Sequence, residues 1–325
     1  MPQHSLDPEL SGFIHNLRAS LPYLEEFHQQ TFVVQISGDL LNGHNFRVIE
    51  DLALLQQVGI RIVLIHGAET QIRKFLTDGG LVCQTEDGIL VAEETHLPLI
   101  EQAISSANWQ LLTRFRSCSR QLQTLTGHFM FAEKKSFSGN FGTHFTGNVC
   151  GLDLETLRQE ISNSKLVILP PFALGEKGRL WILDPNQVAF EVATRLRAKK
   201  FIILDTLTLP QIDGSDSLEM TTESVQQWMK KNPDLPSSQR LQLNVLTEAC
   251  VHGVERCHLL DGRVEGALLA ELLTPKGAGV MITNSSYKRT RPAQLSDLQS
   301  ILEILKSPVQ HAAIVLRTPV YLSLI

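Results

Sequence analysis

The sequence predicts an α/β protein, an αβα sandwich around a mostly parallel sheet, and three observations carry that expectation. Five short runs are apolar and rich in aliphatic or β-branched residues: Phe32–Ile36, Ile62–Ile65, Leu166–Leu169, Phe201–Leu204 and His258–Leu260. Helical stretches alternate with them at Thr95–Phe115, Asn186–Lys200, Gln239–His252 and Glu265–Leu273. Strands with no polar face must be covered on both sides, and helical crossovers supply the covers and the parallel direction together. The third observation is a compact βαβ unit, Thr31–Ser37, Phe46–Val58 and Arg61–His66, whose strands are closed by glycine turns at Gly38 and Gly67.

Residues 1–30 form a helical leader in which Phe13, Leu17, Leu21 and Leu24 recur at helical spacing. Pro22 is expected to kink or restart that helix. The apolar stripe suits docking on the protein's own sheet and self-assembly equally. The alternating region fills 31–284, and its Gly-, Ser- and Pro-rich breaks at Ser136–Gly142, Pro210–Ser217 and Asn232–Ser238 read as surface loops. Composition changes at Thr283–Arg291, a polar, basic linker. An amphipathic helix follows at Pro292–Leu305, with Leu295, Leu298, Ile301, Leu302 and Leu305 on one face, and then a strand at Ala312–Arg317. One helix and one strand cannot bury a core, so 285–325 reads as the start of a further domain whose remainder is absent.

Composition narrows the classes. Hydrophobic residues make up 43% of the 325 and charged residues 19%, which suits a soluble globular chain of about two domains. A net charge of −5 gives no electrostatic reason to bind nucleic acid. The small Lys199–Lys200 and Arg289–Arg291 clusters read as a helix C-terminal turn and a linker. No apolar run approaches the roughly 18 residues that cross a bilayer, and the start MPQHSLDPEL is no targeting signal; a cytoplasmic protein without membrane contact is expected. Cys83, Cys118, Cys150, Cys250 and Cys257 are scattered and never in CxxC spacing, as expected of buried reduced thiols. His252 and His258 match no metal-ligand pattern, so no metal site is assigned.

Four segments carry a resemblance: LPYLEEFHQQTFVVQISGD (21–39), VGIRIVLIHGAETQI (58–72), SGNF (138–141) and HGVERCHLLDGRVEGALLAELLTPKGAGVMI (252–282). Over roughly residues 12 to 317 the order of segments resembles the N-acetylglutamate kinase and N-acetylglutamate synthase branch of the amino-acid kinase family. The resemblance implies an amino-acid kinase-like αβα sandwich. Kinases of that family carry Lys-x-Gly-Gly after the first strand and Gly-Gly-Gly after the second, where amides and a lysine hold the transferring phosphate. Here those positions read Gln35-Ile36-Ser37-Gly38 and Gly67-Ala68-Glu69. Glutamine offers no charge to a triphosphate and Glu69 would repel one.

A second kinase lysine is replaced within Ser237–Gln242, and the acyl-glutamate arginine motif reads Gly88-Ile89-Leu90-Val91-Ala92-Glu93. Gln35, Gly38, Gly67, Ala68 and Glu69 therefore form a degenerate kinase site, and no catalytic residue is assigned. Asp184-Pro185-Asn186 reads as a helix cap, Asp205 as a strand-end cap and His66 as structural.

The synthase branch keeps this fold as a regulatory module and adds a GNAT-type acetyltransferase domain. Residues 289–307 resemble that domain's opening helix and Ile314–Arg317 its first strand. Its acetyl-CoA pyrophosphate loop has no match in the sequence. The implied reaction is acetyl-CoA plus L-glutamate giving N-acetyl-L-glutamate and CoA, the first step of arginine biosynthesis. Acetyl-CoA is then a co-substrate, and no cofactor is expected in this chain. The resemblance also implies L-arginine as effector and a homo-oligomer. In arginine-sensitive members an N-terminal tyrosine and a late acidic, glycine-rich segment hold the effector. Tyr23, Glu271, Gly277 and Gly279 match them, with His258 nearby, although Gly266 stands where many have histidine. Two other readings fit: a non-catalytic arginine-binding subunit or fragment, and a divergent acetylglutamate kinase.

Overall fold

The computed structural model describes residues 7–42, 47–139, 141, 143–163, 165–206 and 219–284. The linker, helix and strand expected at 285–325 and the break at 210–217 lie outside the described residues. In chain order the elements are α1 (Pro8–Phe27), β1 (Thr31–Ile36), α2 (Gly38–Leu41), α3 (Val48–Gln57), β2 (Arg61–His66), α4 (Glu69–Asp78), β3 (Gln84–Glu86) and β4 (Ile89–Val91). Then come α5 (Leu97–Cys118), β5 (Gln123–Thr126), β6 (Met130–Lys134), β7 (Gly147–Leu152), α6 (Leu154–Ser162), β8 (Lys165–Leu169), β9 (Phe172–Leu174) and β10 (Leu180–Ile182). The last are α7 (Pro185–Leu196), β11 (Lys200–Asp205), β12 (Glu219–Thr221), α8 (Thr222–Lys231), α9 (Ser237–Val251), β13 (Arg256–Asp261), α10 (Ala267–Leu273) and β14 (Val280–Thr283).

Eight described strands form one sheet in the order β12-β14-β13-β11-β1-β2-β8-β5. Its pairs are parallel except β13 with β14. Side chains alternate between two cores. Phe32, Val34, Ile202 and Leu260 pack on one face with residues from α1, α3, α4, α5 and α10. Val33, Phe201, Ile203 and Leu259 pack on the other with α6, α7, α8 and α9. Each fully buried aliphatic or aromatic side chain contributes roughly 1.5–3 kcal/mol, so the run of apolar strands demands both helical layers.

Sequence reasoning missed a smaller sheet, β10-β9-β6-β7, and the β3–β4 hairpin. Their strands are short and half-exposed, as in Met130–Lys134, where only Met130 and Ala132 are buried. The break at Ser136–Gly142 lies between two of these strands.

Four expectations need correction. Helix α1 does not restart at Pro22 but runs through it; a proline removes one amide donor without forcing a stop where the residue is exposed. On that helix Leu10, Phe13, Leu17 and Leu21 are exposed and only Phe27 is buried, so the stripe does not dock on the described sheet. Lys200 is no helix-end residue: α7 stops at Leu196, Arg197 turns left-handed at φ 52°, and Lys200 opens β11 with 2% exposure. Among the cysteines only Cys250 and Cys257 are buried; Cys118 and Cys150 are exposed. Among the described residues no helix is long and apolar enough to cross a membrane, and no cluster of His, Cys, Asp and Glu is placed to hold a metal ion.

Candidate functional site

Lys200 and Asp205 open and close the same strand, about 17 Å apart at the usual rise per residue. Two candidate sites lie toward these opposite edges of the sheet, and they differ in charge.

At the Asp205 edge the strands β1 and β2 end in the two glycine turns. The Gly67 amide donates to Ile36 O at 2.7 Å, drawing the turns together. A Cβ on Gly67 would lie 2.8 Å from the Gly38 nitrogen and 2.5 Å from Glu69 Oε2, so only glycine fits. Glu69 opens α4 and turns back, its Oε2 accepting from the Gly38 amide at 3.3 Å. Gln71 Nε2 donates to Gly38 O at 2.9 Å and to Asn42 Oδ1 at 3.0 Å, and the Thr70 hydroxyl donates to Asp39. A carboxylate thus points at an amide that a kinase turn would offer to phosphate. Burial pushes the Glu69 carboxyl up to about 7, with Asp184 and Asp205 adding to it and the Glu69 and Gly38 amides opposing it. The residue as a whole is exposed, and solvent screening limits that push.

The remaining groups there are caps or unfilled. Asp184 accepts from Gln187 N at 2.8 Å and caps α7, and burial raises its carboxyl. Asp205 accepts from Thr206 N at 2.6 Å and from Gln242. Buried His66 pairs through Nδ1 with Gly67 O at 3.0 Å, and burial holds it down to about 4. Buried Gln35 Oε1 and Ser37 Oγ have no hydrogen-bond partner among the described residues. The adjoining cavity, walled by Ala68, Glu69, Arg73, Leu90 and Asp184, measures about 60 Å³, room for a few waters. Small, acidic and without a described lysine in its wall, this pocket does not suit a nucleotide.

At the Lys200 edge the geometry is richer. Strand alternation places Lys200, Arg256, His258, Met281 and Glu219 on the α1–α10 face, because Phe201, Cys257, Ile282 and Met220 all point into the other core. Register aligns His258 with Met281, and Met281 with Glu219. Tyr23 and Phe27 of α1 and the loop after α10 close a cavity of about 180 Å³ over this row.

Within it the polar groups form a relay. Lys200 Nζ lies 3.2 Å from His258 Nε2, and His258 Nδ1 lies 2.6 Å from Glu271 Oε1. Glu271 Oε2 accepts from the amides of Ala278 at 2.6 Å and Gly279 at 2.9 Å. Glu271 is therefore a buried clamp on its own loop, with 4% side-chain exposure. Burial tends to raise its carboxyl, but His258 and the two amides bring it down to about 2. Burial and then Lys200 push His258 down to about 4. At neutral pH His258 is thus uncharged, donating through Nδ1 to Glu271 and accepting at Nε2 from Lys200. Burial brings Lys200 to about 8, while its ammonium sits 4.9 Å over the Phe27 ring.

The structure brings Tyr23, Glu271, Gly277 and Gly279 together around one cavity. Gly277 has φ +67° and would put a Cβ 2.7 Å from Glu271 Oε2; Gly279 would put one 2.1 Å from Leu260 Cδ2. Sequence reasoning missed Lys200, Arg256 and Glu219 on the same wall. A lysine opening an otherwise apolar strand was the available signal.

Residues 30–206 match the amino acid kinase family. An amino-acid acetyltransferase from Shewanella oneidensis is 28% identical over 316 residues, covering 94% of this chain and 71% of that protein. The structure resembles N-acetylglutamate synthase from Neisseria gonorrhoeae complexed with coenzyme A and L-arginine, with TM-score 0.77, 26% identity, and 96% and 74% of the two chains covered. A carbamate kinase from Giardia lamblia shares the fold at TM-score 0.58 and 11% identity, over 79% of this chain and 99% of its own. The chain belongs to the amino acid kinase family.

Proposed function

We propose that this is an N-acetylglutamate synthase-like protein whose domain at 31–284, with the helix of 1–30, serves as an arginine-sensing module. The observation that carries the reading is the charged cavity between α1, β11, β13 and the loop after α10. It supplies cations for a carboxylate, Lys200 and Arg256, and glycine amides that approach a ligand closely. It also contains carboxylates on the same wall, the complement an amino acid with a cationic side chain needs. The synthase from Neisseria gonorrhoeae, solved with L-arginine, is similar across 96% of this chain.

The chemistry of such a protein joins L-glutamate and acetyl-CoA. The glutamate amine attacks the thioester carbonyl, the thiolate of CoA leaves, and N-acetyl-L-glutamate forms. Residues 31–284 carry the regulation in this reading, and 285–325 begin the acetyltransferase domain. The exposed row Leu10, Phe13, Leu17 and Leu21 supports a homo-oligomer held through α1, which sedimentation of the full chain measures. The acidic Glu69–Asp184–Asp205 edge speaks against a divergent kinase.

Calorimetric titration of the full chain with L-arginine, set against ATP–magnesium, tests the sensor reading. Saturable arginine heat with a flat ATP trace is expected. The reverse pattern overturns it.

A further inference from the structure

Lys200, His258 and Glu271 stand in the order nucleophile, base and carboxylate. Lys200 Nζ lies 3.2 Å from His258 Nε2, and His258 Nδ1 lies 2.6 Å from Glu271 Oε1. A base within hydrogen-bond reach of a nucleophile, itself turned by a third group, is the arrangement that readies a side chain to attack an electrophile. Here an amine takes the nucleophile's place. The Ala278 and Gly279 amides hold Glu271, Glu271 fixes the imidazole tautomer, and Nε2 keeps its lone pair toward the amine.

The other neighbours of the amine do not hold a proton on it. They are the face of Phe27, 4.9 Å away, and Arg256, its register partner across β11 and β13. Burial and Arg256 bring Lys200 to about 8, so near that pH about half of the amine carries a free lone pair. Lys199, one residue earlier, is the opposite case. Burial opposes its charge, but Glu255 and Glu26 outweigh it and raise Lys199 above its ordinary value. Only 2% of Lys200 is exposed, and the cavity it lines is its way to solvent. That space of about 180 Å³ is many times the roughly 10–15 Å³ that holds one water, so a triatomic electrophile has room beside the amine.

We propose that Lys200 is a carbamylation site whose uncharged amine adds carbon dioxide reversibly. The nitrogen lone pair forms a bond to the carbon of carbon dioxide, and one C=O π pair moves onto oxygen. Bonding makes the nitrogen acidic, and one N–H proton passes to His258 Nε2 and on to solvent. Nothing is oxidised or reduced: amine and carbon dioxide give a carbamate and a proton. The remaining N–H still faces His258, and Arg256 stands beside the new anion. The acids around it are already engaged, Glu271 by His258 and two amides, Glu26 and Glu255 by Lys199. Glu219 opens a strand three places away in the sheet. The product replaces a cation on the cavity wall by an anion, so dissolved carbon dioxide excludes a carboxylate from Lys200. The modification itself does not depend on the sensor reading.

The test equilibrates the full chain at about pH 8 with isotopically labelled bicarbonate and traps it with triethyloxonium, which fixes a carbamate as its ethyl ester. Cleavage after Leu196 and Phe201 leaves Lys199 and Lys200 on one peptide, and tandem mass spectrometry assigns the label between them. Lys200 is expected to carry at least about tenfold more label than Lys199, since it holds on the order of 100-fold more free amine. Purging carbon dioxide before trapping is expected to remove the label. Equal labelling of the two lysines overturns the proposal. So does an unlabelled Lys200 in a chain whose amino terminus is labelled, which shows that the trap worked. Label that survives purging marks a different, irreversible adduct and overturns it too. None of these readings needs a variant that must first fold.

Discussion

Lys200 and His258 meet across two neighbouring parallel strands, ammonium to imidazole Nε2 at 3.2 Å, in a space where burial holds both short of their ordinary charge and Lys200 pushes His258 down further. Lys200 titrates near 8 in the folded chain against an ordinary 10.5, with burial the main cause and Arg256 adding to it. Between those values the unfolded chain holds the extra proton, so this group makes stability rise with pH through that window, by up to about 3 kcal/mol. Lys200→Met removes that rise. Urea midpoints of parent and variant at pH 7.5, 9 and 10.5 measure it, and parallel curves contradict it.

Glu271→Gln is expected to behave almost like Glu271→Ala, at a cost of about 3 kcal/mol. One carboxylate oxygen faces two amide donors and the other faces His258 Nδ1. A glutamine must turn its own donor toward one of these. Chemical denaturation of both variants reads the result, and a Gln variant as stable as the parent refutes it.

Gly279→Ala should cost more than Gly277→Ala. The first places a methyl against Leu260 Cδ2 at 2.1 Å and the Leu259 carbonyl at 2.6 Å, where a backbone atom must move, for about 2–3 kcal/mol. The second strains φ +67° and disturbs the Glu271 carboxylate, about 1–2 kcal/mol. Thermal melts of the two variants order them, and the reverse order sinks the assignment of Gly279 as the tighter contact.

Glu69 gives a pH signature of opposite sign. Its carboxyl is raised from 4.5 to about 7 on folding, so the folded chain holds the proton in between. The stability it contributes is complete below 4.5 and lost as pH rises through 7. Glu69→Gln should abolish that loss and leave the variant more stable at pH 8, by about 1 kcal/mol once solvent screening is allowed for. Denaturation at pH 5 and pH 8 checks this; a variant equally destabilised at both excludes it.

The large sheet was legible because Phe32–Ile36, Ile62–Ile65 and Phe201–Leu204 are buried on both faces, and such strands announce themselves without periodicity. The smaller sheet and the β3–β4 hairpin were not, since strands such as Leu180–Ile182 and Gln84–Glu86 are three residues long and carry no readable pattern. The second cavity was half legible. Tyr23, Glu271, Gly277 and Gly279 came from resemblance, but Lys200 looked like a helix end because Lys199 precedes it. The two side chains part at the strand: Lys199 pairs outward with Glu26 at 3.3 Å and Glu255 at 2.6 Å, while Lys200 turns in. Glu219 gave no signal, as its meaning depends on which strands flank it, and that is a property of topology.

Tyr23 and Phe27 sit near the end of α1, while the other walls of their cavity come from residues 200 to 281. The first helix of the chain is thus fastened to some of the last strands across a space that a small solute can fill. The helix is held there by Phe27, by packing against α10 and by the Glu26–Lys199 pair. The outer length of that same helix bears the exposed Leu10, Phe13 and Leu17, so a neighbour seated on them would bear on a helix whose other end walls the cavity.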